Sequence, residues 1–573
     1  MRMSPLDKKL VDKKLAGSDA VPDQMVTRVS PARRSWRPLG WARLAAFRPA
    51  RALLDLLPAL VPALLFLPLV LAPPINHDVA AVLEFSQRWL AGEHLYSDLI
   101  DVNPPLIFVL NLLPAAIATA TPLSAVVALQ LCLLILGGVC WWLSLRVRDR
   151  PAEGLAERAL LDALPVLFVL GGGYDFGQRE HLMAVAALPY VLCAARRAGG
   201  ERPRGRFAVT VIAALGFALK PHFLALPVLV ELGVLIGRLP PGALLWFARR
   251  GLGRAFGRWV RDPLPWVMAA VWALYLACLP FFFADYLGVV LPLVWDFYLN
   301  LGGLTAWQVL LVPRMATAVS LLLPALWIAF RRPAGRMGAK GAALPRLLGL
   351  AALGGVAAAV TQHKGWSYHI VPIEFFASAL ATLTAARWLD RTRATEENSG
   401  TGVAAVLIGL CALYTISNGE APWKQLEYAD SEVAGLTALL EQEAAGERVL
   451  VLSPGIYPVY PAVNYAGAHN TLRTMNVWLL QGAYEQCLPD GRRYREVWEM
   501  GRPEFFVYRT VAEDFARAPP AAVVVDKQPG IPWCGEEFDF IGYFSRHPLF
   551  AEVWSHYQLT GEWDRYRVYT RKD

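Results

Sequence analysis

The sequence carries little charge for its length. Of 573 residues, 18% are Asp, Glu, Lys or Arg and 55% are hydrophobic, with a mean hydropathy of +0.37, which excludes an ordinary soluble protein. It also lacks the short signatures of several enzyme classes. There is no CxxC pair, HExxH, Walker-type phosphate loop or GxSxG elbow, so zinc hydrolase, ATPase and serine hydrolase readings have no support. Cysteine is scarce: of seven, five lie inside apolar runs, leaving Cys487 and Cys534 as the one pair placed to form a disulfide. The formal charge of +8 does not point to nucleic acid, because the basic residues fall mostly between apolar runs and not on one folded surface.

What is present is a series of apolar runs from Leu53 to about Ser417, each near the length of about 20 residues that a bilayer requires, and none after that. Three regions result. Residues 1–51 form a basic arm ("KKLVDKKL", "RRSWR") with no apolar core and cleavage site, read as cytoplasmic and not as a secretory signal. Residues 52–417 form a polytopic helical module of about 11 to 13 spans, with a long first outer loop at 74–104. Residues 418–573 read as a small water-soluble α/β domain. Its signals are a helix in "SEVAGLTALLEQEAAGE", a strand in "RVLVLS", a helix in "PEFFVYRTVAEDFARAPP", and strands in "AAVVVD" and "YRVYTRK".

Arginine clusters assign the sides. "RVRDR" (Arg146 to Arg150), Arg196 to Arg206, Arg238 to Asp262, Arg331 to Lys340 and Arg387 to Arg393 mark inner loops. "GGGYDFGQREH" (Gly171 to His181), "KPH" (Lys220 to His222), Ala284 to Gly303, "QHKGWSYH" (Gln362 to His369) and the C-terminal domain then share the outer face. One conflict remains. If Pro105 to Ala118 crosses fully, "RVRDR" lands outside, so either that short run is incomplete or re-entrant or the cluster breaks the rule.

The first loop is the richest chemically. Val79, Val82, Leu83, Trp89 and Leu90 recur at helical spacing opposite Glu84, Gln87 and Arg88, the pattern of a helix lying in the membrane interface. Asp78 opens that helix. It can serve as the N-cap, or as a general base whose pKa is raised at the edge of a low-dielectric surface, and one carboxylate can do both.

A first-loop Asp just after the first span, followed by "RWLAGEHLYSD" and a Pro-Pro-Leu re-entry, resembles the polytopic glycosyltransferases of the C-type fold. The group it looks most like is the protein-mannosyltransferase and aminoarabinose-transferase superfamily, including bacterial lipopolysaccharide-core transferases. The resemblance implies an inner-membrane enzyme working on the periplasmic side. It would move a sugar from a polyprenyl phosphate or diphosphate to a hydroxyl of an envelope glycan, lipid or protein, with Asp78 as the base. Where the family often has Asp-Glu, this chain has His77 before Asp78 and Val79 after it. The second acid is then missing or supplied by Glu84, Glu93, Asp98 or Asp101, and neither metal nor cofactor is expected.

A lipid phosphate at the interface requires cations. Arg179, His181, Lys220, His222, Lys364 and His369 are the candidate donor-phosphate ligands, with span-end snorkelling as their alternative role. Glu84, Asp101 and Glu180 are candidate supporting acids. Asp175 and Glu374 also lie close to spans. Trp295, Tyr298, Trp366 and Tyr368 fit interface anchors better than sugar platforms. The alternatives in function are a transporter or flippase of lipid-linked saccharides, for which Glu231 is the one clear acid deep in an apolar run, and a glycan polymerase or ligase.

Overall fold

The computed structural model describes residues 48–148, 155–237, 249–298, 303–330, 339–392, 399–416, 423–484, 488–531 and 538–572. The basic arm up to residue 47, Cys487 and Cys534 lie outside them. Residues up to Asp55 form a unit of their own, described only from its helical start at Arg48; the second unit, Leu56–Asp573, holds both the helical bundle and the C-terminal domain.

The apolar runs and some of the segments between them are helices: α1 Arg48–Leu71, α2 His77–Leu90, α3 Leu106–Ala120, α4 Ala125–Val147, α5 Leu155–Leu170, α6 Arg179–Ala198, α7 Arg206–Ala218, α8 Ala225–Gly237, α9 Arg249–Val260, α10 Pro263–Phe282, α11 Ala306–Leu311, α12 Pro313–Phe330, α13 Ala339–Thr361, α14 Val371–Thr392 and α15 Ser399–Ile416. Five helical segments among the described residues are long and apolar enough to cross a membrane: Ala125–Val147, Pro263–Phe282, Pro313–Phe330, Ala343–Thr361 and Ser367–Leu389. Shorter apolar helices, such as Leu56–Leu71 and Arg206–Ala218, accompany them. In the most apolar 18-residue stretch, 89% of the residues are buried for Ser367–Leu389 and 17% for Pro263–Phe282, so the first is the centre of the bundle and the second its rim.

Chain direction alternates between two ends of this bundle. The start of α4 packs Val126 and Leu129 against Val79 and Leu83 of α2, while its end brings Leu143 and Arg146 beside Gly205, just ahead of α7. α6 runs from Arg179 near Asp78 to Arg197, which bonds Asp262 at the start of α10. α10 then returns, and Phe283 meets Trp89 and Tyr96 of the first loop. Arg146, Arg197, Gly205 and Asp262 thus lie toward one end, and the loops at Asp78, Arg179 and Lys220 at the other; most of the cluster from Arg331 to Lys340 lies outside the described residues.

This arrangement resolves the conflict over α3. Its first turn comes directly after the first loop, with Phe108 packed on Phe85 and Tyr96. Its last residue lies four positions before Ser124, the cap of α4, whose first turns rest on α2. Both ends of α3 are therefore at the same end of the bundle, and Arg146 falls with the other arginines.

The polar face of α2 does not meet water, as the amphipathic pattern alone suggests. Glu84 and Arg88 are 2% and 4% exposed, covered by the C-terminal domain. Arg88 donates to the Leu472 carbonyl at 2.9 Å, Tyr460 Oη to Glu84 at 3.3 Å, and Asn464 to the Ala80 carbonyl at 2.9 Å.

That domain holds a five-stranded sheet, β1 Arg448–Leu452, β2 His469–Asn470, β3 Ala522–Asp526, β4 Tyr557–Trp563 and β5 Tyr566–Arg571, in the order β2-β1-β3-β5-β4. β1 pairs in parallel with β2 and β3, and β5 is antiparallel to β3 and β4. β3 is buried along its whole length and β1 along all but its first residue, as expected for strands covered on both faces. Their side chains alternate: Leu450, Leu452, Val523 and Val525 enter one core with α18 (Arg502–Arg517), while Val449, Val451 and Val524 join α16 (Glu432–Ala444) and α17 (Val459–Tyr465) in the core continuous with α2.

Candidate active site

The residue that caps α2 is Asn76. Its side-chain oxygen accepts from the backbone N–H of Asp78 at 2.9 Å and of Val79 at 3.3 Å. The capping role considered for Asp78 therefore belongs to Asn76, and the Asp78 carboxylate is left for other partners. Asn76 Nδ2 also donates to Asp175 Oδ1 at 2.8 Å, which ties the first loop to the loop ahead of α6.

Glycine shapes that second loop. Gly177 has φ +90°, and a Cβ on Gly172 would come within 2.8 Å of Phe176 Cα, so neither position accepts a side chain without distortion. The tight turn delivers two donors to one carboxylate oxygen: Gln178 Nε2 reaches Asp78 Oδ2 at 2.7 Å and Arg179 Nη2 reaches it at 3.2 Å. Oδ1 faces His77 Nε2 at 3.7 Å, beyond hydrogen-bond distance. One edge of Asp78 is held and the other is open.

Burial pushes the Asp78 carboxyl up, but His77, Arg179, the Gln178 hydrogen bond and Lys220 outweigh it and hold the group below its ordinary value. The raised value expected from position alone is thus reversed by neighbouring cations. Asp101 goes the other way. Burial dominates there, and although it accepts from Asn103 N at 2.8 Å and Asn103 Nδ2 at 2.6 Å, its carboxyl stays above the ordinary value, with Asp78 adding repulsion. Two carboxyls in each other's field have their proton affinities pushed apart, a division that suits acid and base roles.

Behind Arg179 lies a second charged pair. Lys220 Nζ donates to Glu180 Oε1 at 2.6 Å and sits 4.9 Å from the ring centre of Tyr368. Burial lowers Lys220 to about 8, opposed by Glu180 and helped by Arg179. His222 and His369 lie within electrostatic reach of Lys220 and of each other. Glu180 Oε2, His222 Nε2 and His369 Nε2 are buried and have no hydrogen-bond partner among the described residues. Buried polar atoms are normally paired, so three in one cluster mark a place suited to a polar ligand.

Two expected site residues are elsewhere. His181 is saturated: Nε2 bonds the Phe168 carbonyl at 2.8 Å and Nδ1 accepts from Gly177 N–H at 3.2 Å, so its ring braces the glycine loop and has no nitrogen left for a phosphate. Glu84 is spent on Tyr460 and the Asn470 N–H and supports the interdomain contact, not Asp78. Lys364 is intermediate. Its Nζ donates to the Tyr298 carbonyl at 2.9 Å, burial lowers its pKa, and its carbonyl accepts from His369 Nδ1 at 3.1 Å, so it borders the cluster through its backbone at His369. Tyr368 is buried beside Lys220 and is not the interface anchor its sequence suggests, whereas Trp295, 75% exposed, fits that role.

Asn76 and Gln178 are the site residues that sequence reasoning misses. Asn76 is within its reach, since Asn caps helices as well as Asp does. Gln178 has no distinguishing signal beyond adjacency to Arg179. Among the described residues no group of three His, Cys, Asp or Glu side chains converges as a metal site. No protein-family model matches the sequence, and no curated protein matches it significantly.

Proposed function

We propose that this chain is an integral membrane glycosyltransferase of the C-type fold, transferring a sugar from a polyprenyl phosphate or diphosphate to a hydroxyl of an envelope glycan, lipid or protein on the periplasmic side. The observation that carries the reading is the half-held Asp78 carboxylate beside the buried Arg179, Lys220 and Glu180 cluster with its unpaired atoms.

In this reading the acceptor hydroxyl attacks the anomeric carbon and gives its proton to the open Asp78 edge. The bond from that carbon to the phosphate oxygen breaks, and the phosphate leaves with the electron pair against Arg179 and Lys220. Direct displacement inverts the anomeric centre. An ionised Asp78 is ready to accept a proton at neutral pH, and Arg179 and Lys220 supply the charge a departing phosphate needs. The carboxyl ends of β1 and β3 lead toward the site: Tyr457, after β1, comes within 6.3 Å of His77, ring centre to ring centre. That end of a parallel sheet is where α/β domains hold ligands, which suits an acceptor-docking role for the domain. The transporter alternative loses its distinctive acid, because Glu231 is paired with Arg197 at 2.6 Å.

The test is Asp78→Asn in cells, with lipid-linked sugars and envelope glycans followed by mass spectrometry. Transfer falls by about a hundredfold or more, the scale for losing a general base, and the lipid-linked donor accumulates. A loss of only a few-fold, with normal protein level, overturns the assignment.

A further inference from the structure

One length of α6, about 30 Å at 1.5 Å per residue, separates Asp78 from a second feature. At the Arg-rich end, α6, α7, α8, α9 and α10 border a cavity of about 590 Å³. Its charged lining is Arg197, Arg202, Arg206, Arg258 and Arg261 against Glu201 and Asp262. Arg197 is shared between Glu231 at 2.6 Å and Asp262 at 3.0 Å, and Arg202, Arg206, Arg258 and Arg261 stand with Glu201 around the rest of the cavity. Arg202, Arg206 and Arg261 have no carboxylate partner among the described residues; Arg206 lies over the Phe207 ring at 5.0 Å.

The neighbouring α9 carries basic residues along with exposed Phe256 and Val260. That is the make-up of a helix lying at headgroup depth. Its Trp259 donates to Glu231 at 2.8 Å, which fixes α9 against α8. A general preference for arginine in inner loops accounts for the number of arginines but not for their convergence on a cavity of this size. Guanidiniums bind phosphate oxygens in a fork, and basic pockets between membrane helices take lipid headgroups.

We propose that this cavity binds a phosphate-bearing anion, remote from and additional to the Asp78 site. The test uses the full chain in phosphatidylcholine nanodiscs with and without cardiolipin, beside the Arg206→Gln/Arg261→Gln double variant, with lipid retention read by native mass spectrometry. A parallel arm adds inorganic pyrophosphate and tracks thermal unfolding. Cardiolipin retained by the parent chain and lost at least about tenfold by the double variant assigns the phosphate to a lipid headgroup. A pyrophosphate-induced rise in unfolding temperature in the parent chain alone assigns it to a soluble donor. Parent and variant behaving alike in both arms overturns the proposal. Both arginines are at least partly exposed, and the thermal profile without ligand verifies that the variant is folded.

Discussion

The two ends of α6 present the same residue types and use them in opposite ways. At one end Arg197 is closed in on itself: it bonds Glu231 at 2.6 and 3.1 Å and Asp262 at 3.0 Å, and Tyr190 and Trp259 satisfy the rest of the Glu231 carboxylate. At the other end Arg179 shares Asp78 with Gln178, while Glu180, His222 and His369 each keep a buried atom unpaired. A saturated network holds helices together, whereas one with unused valences is built for something that arrives. Neither charge nor burial distinguishes the two ends; the count of satisfied hydrogen bonds does.

The comparison can be broken most directly by stability. Arg197→Met takes the shared cation from two carboxylates, Glu231 and Asp262, and is expected to cost about 3–5 kcal/mol. Arg179→Met should cost less, because it takes a cation from the Asp78 carboxylate, which keeps the Gln178 bond, and not from two carboxylates at once. Thermal unfolding of the purified chain measures both, and equal losses would remove the distinction.

Asp78→Asn sharpens it from the other side. Activity drops about a hundredfold or more, while the unfolding temperature falls less than in Arg197→Met, since the cap of α2 is Asn76 and the substituted amide oxygen can still accept from Gln178 and Arg179. Asn76→Ala, in contrast, removes the cap, at about 1 kcal/mol, together with the link to Asp175. It should lower stability and activity at once.

The pH dependence is smaller and has a definite sign. Asp78, held below its ordinary value, is ionised throughout the neutral range. Its contribution to stability is present above the unfolded carboxyl pKa and fades only as pH falls through the lower folded value. Lys220, lowered to about 8, loses its proton as pH rises through that value, so donor use declines on the alkaline side. Lys220→Arg should move that decline to higher pH; a pH–rate profile unchanged by the substitution would exclude Lys220 from donor binding. The smallest expected effect is Tyr465→Phe. It deletes the hydrogen bond from Ile75 N–H at 2.8 Å, worth about 1 kcal/mol, and should show as faster amide exchange at the start of α2.

Much of this is legible in the sequence for identifiable reasons. "VLVL" and "AVVVD" are continuous β-branched and aliphatic runs, and they are the two central strands. β4, "YQLTGEW", is mostly exposed and lacks such a run, and β2 is two residues long; neither leaves a clear pattern. The gathering of the loops at Asp78, Arg179 and Lys220 can be read from arginine spacing, because α4, α5, α6 and α10 run between the two ends in alternate directions. What cannot be read is what covers each polar face. Arg88 is buried by a carbonyl 384 residues away, and the adjacent His77 is joined in pulling Asp78 down by Arg179 and Gln178, 101 and 100 residues away. Periodicity reports that a face is polar, not whether water or protein meets it. Nor does a His beside an Arg reveal ring direction, which is why His181 reads as a ligand until its two nitrogens are seen to be occupied.

The short helix α3 has a consequence of parity. Asp78 and Arg179 touch at 3.2 Å, so the chain between them must pass through any membrane an even number of times. α4 leads to the end that holds Gly205 and α5 returns to His181, and this pair brings the chain back to Asp78 only because α3 starts and finishes at the same end. Were its 15 residues an additional crossing, every later loop would change sides, and Asp78 would be parted from Arg179 and Lys220 by the thickness of the hydrocarbon layer, about 30 Å. The site thus exists by virtue of a helix that contributes no side chain to it. Lengthening α3 into a full span should abolish the site while leaving every residue in it unchanged.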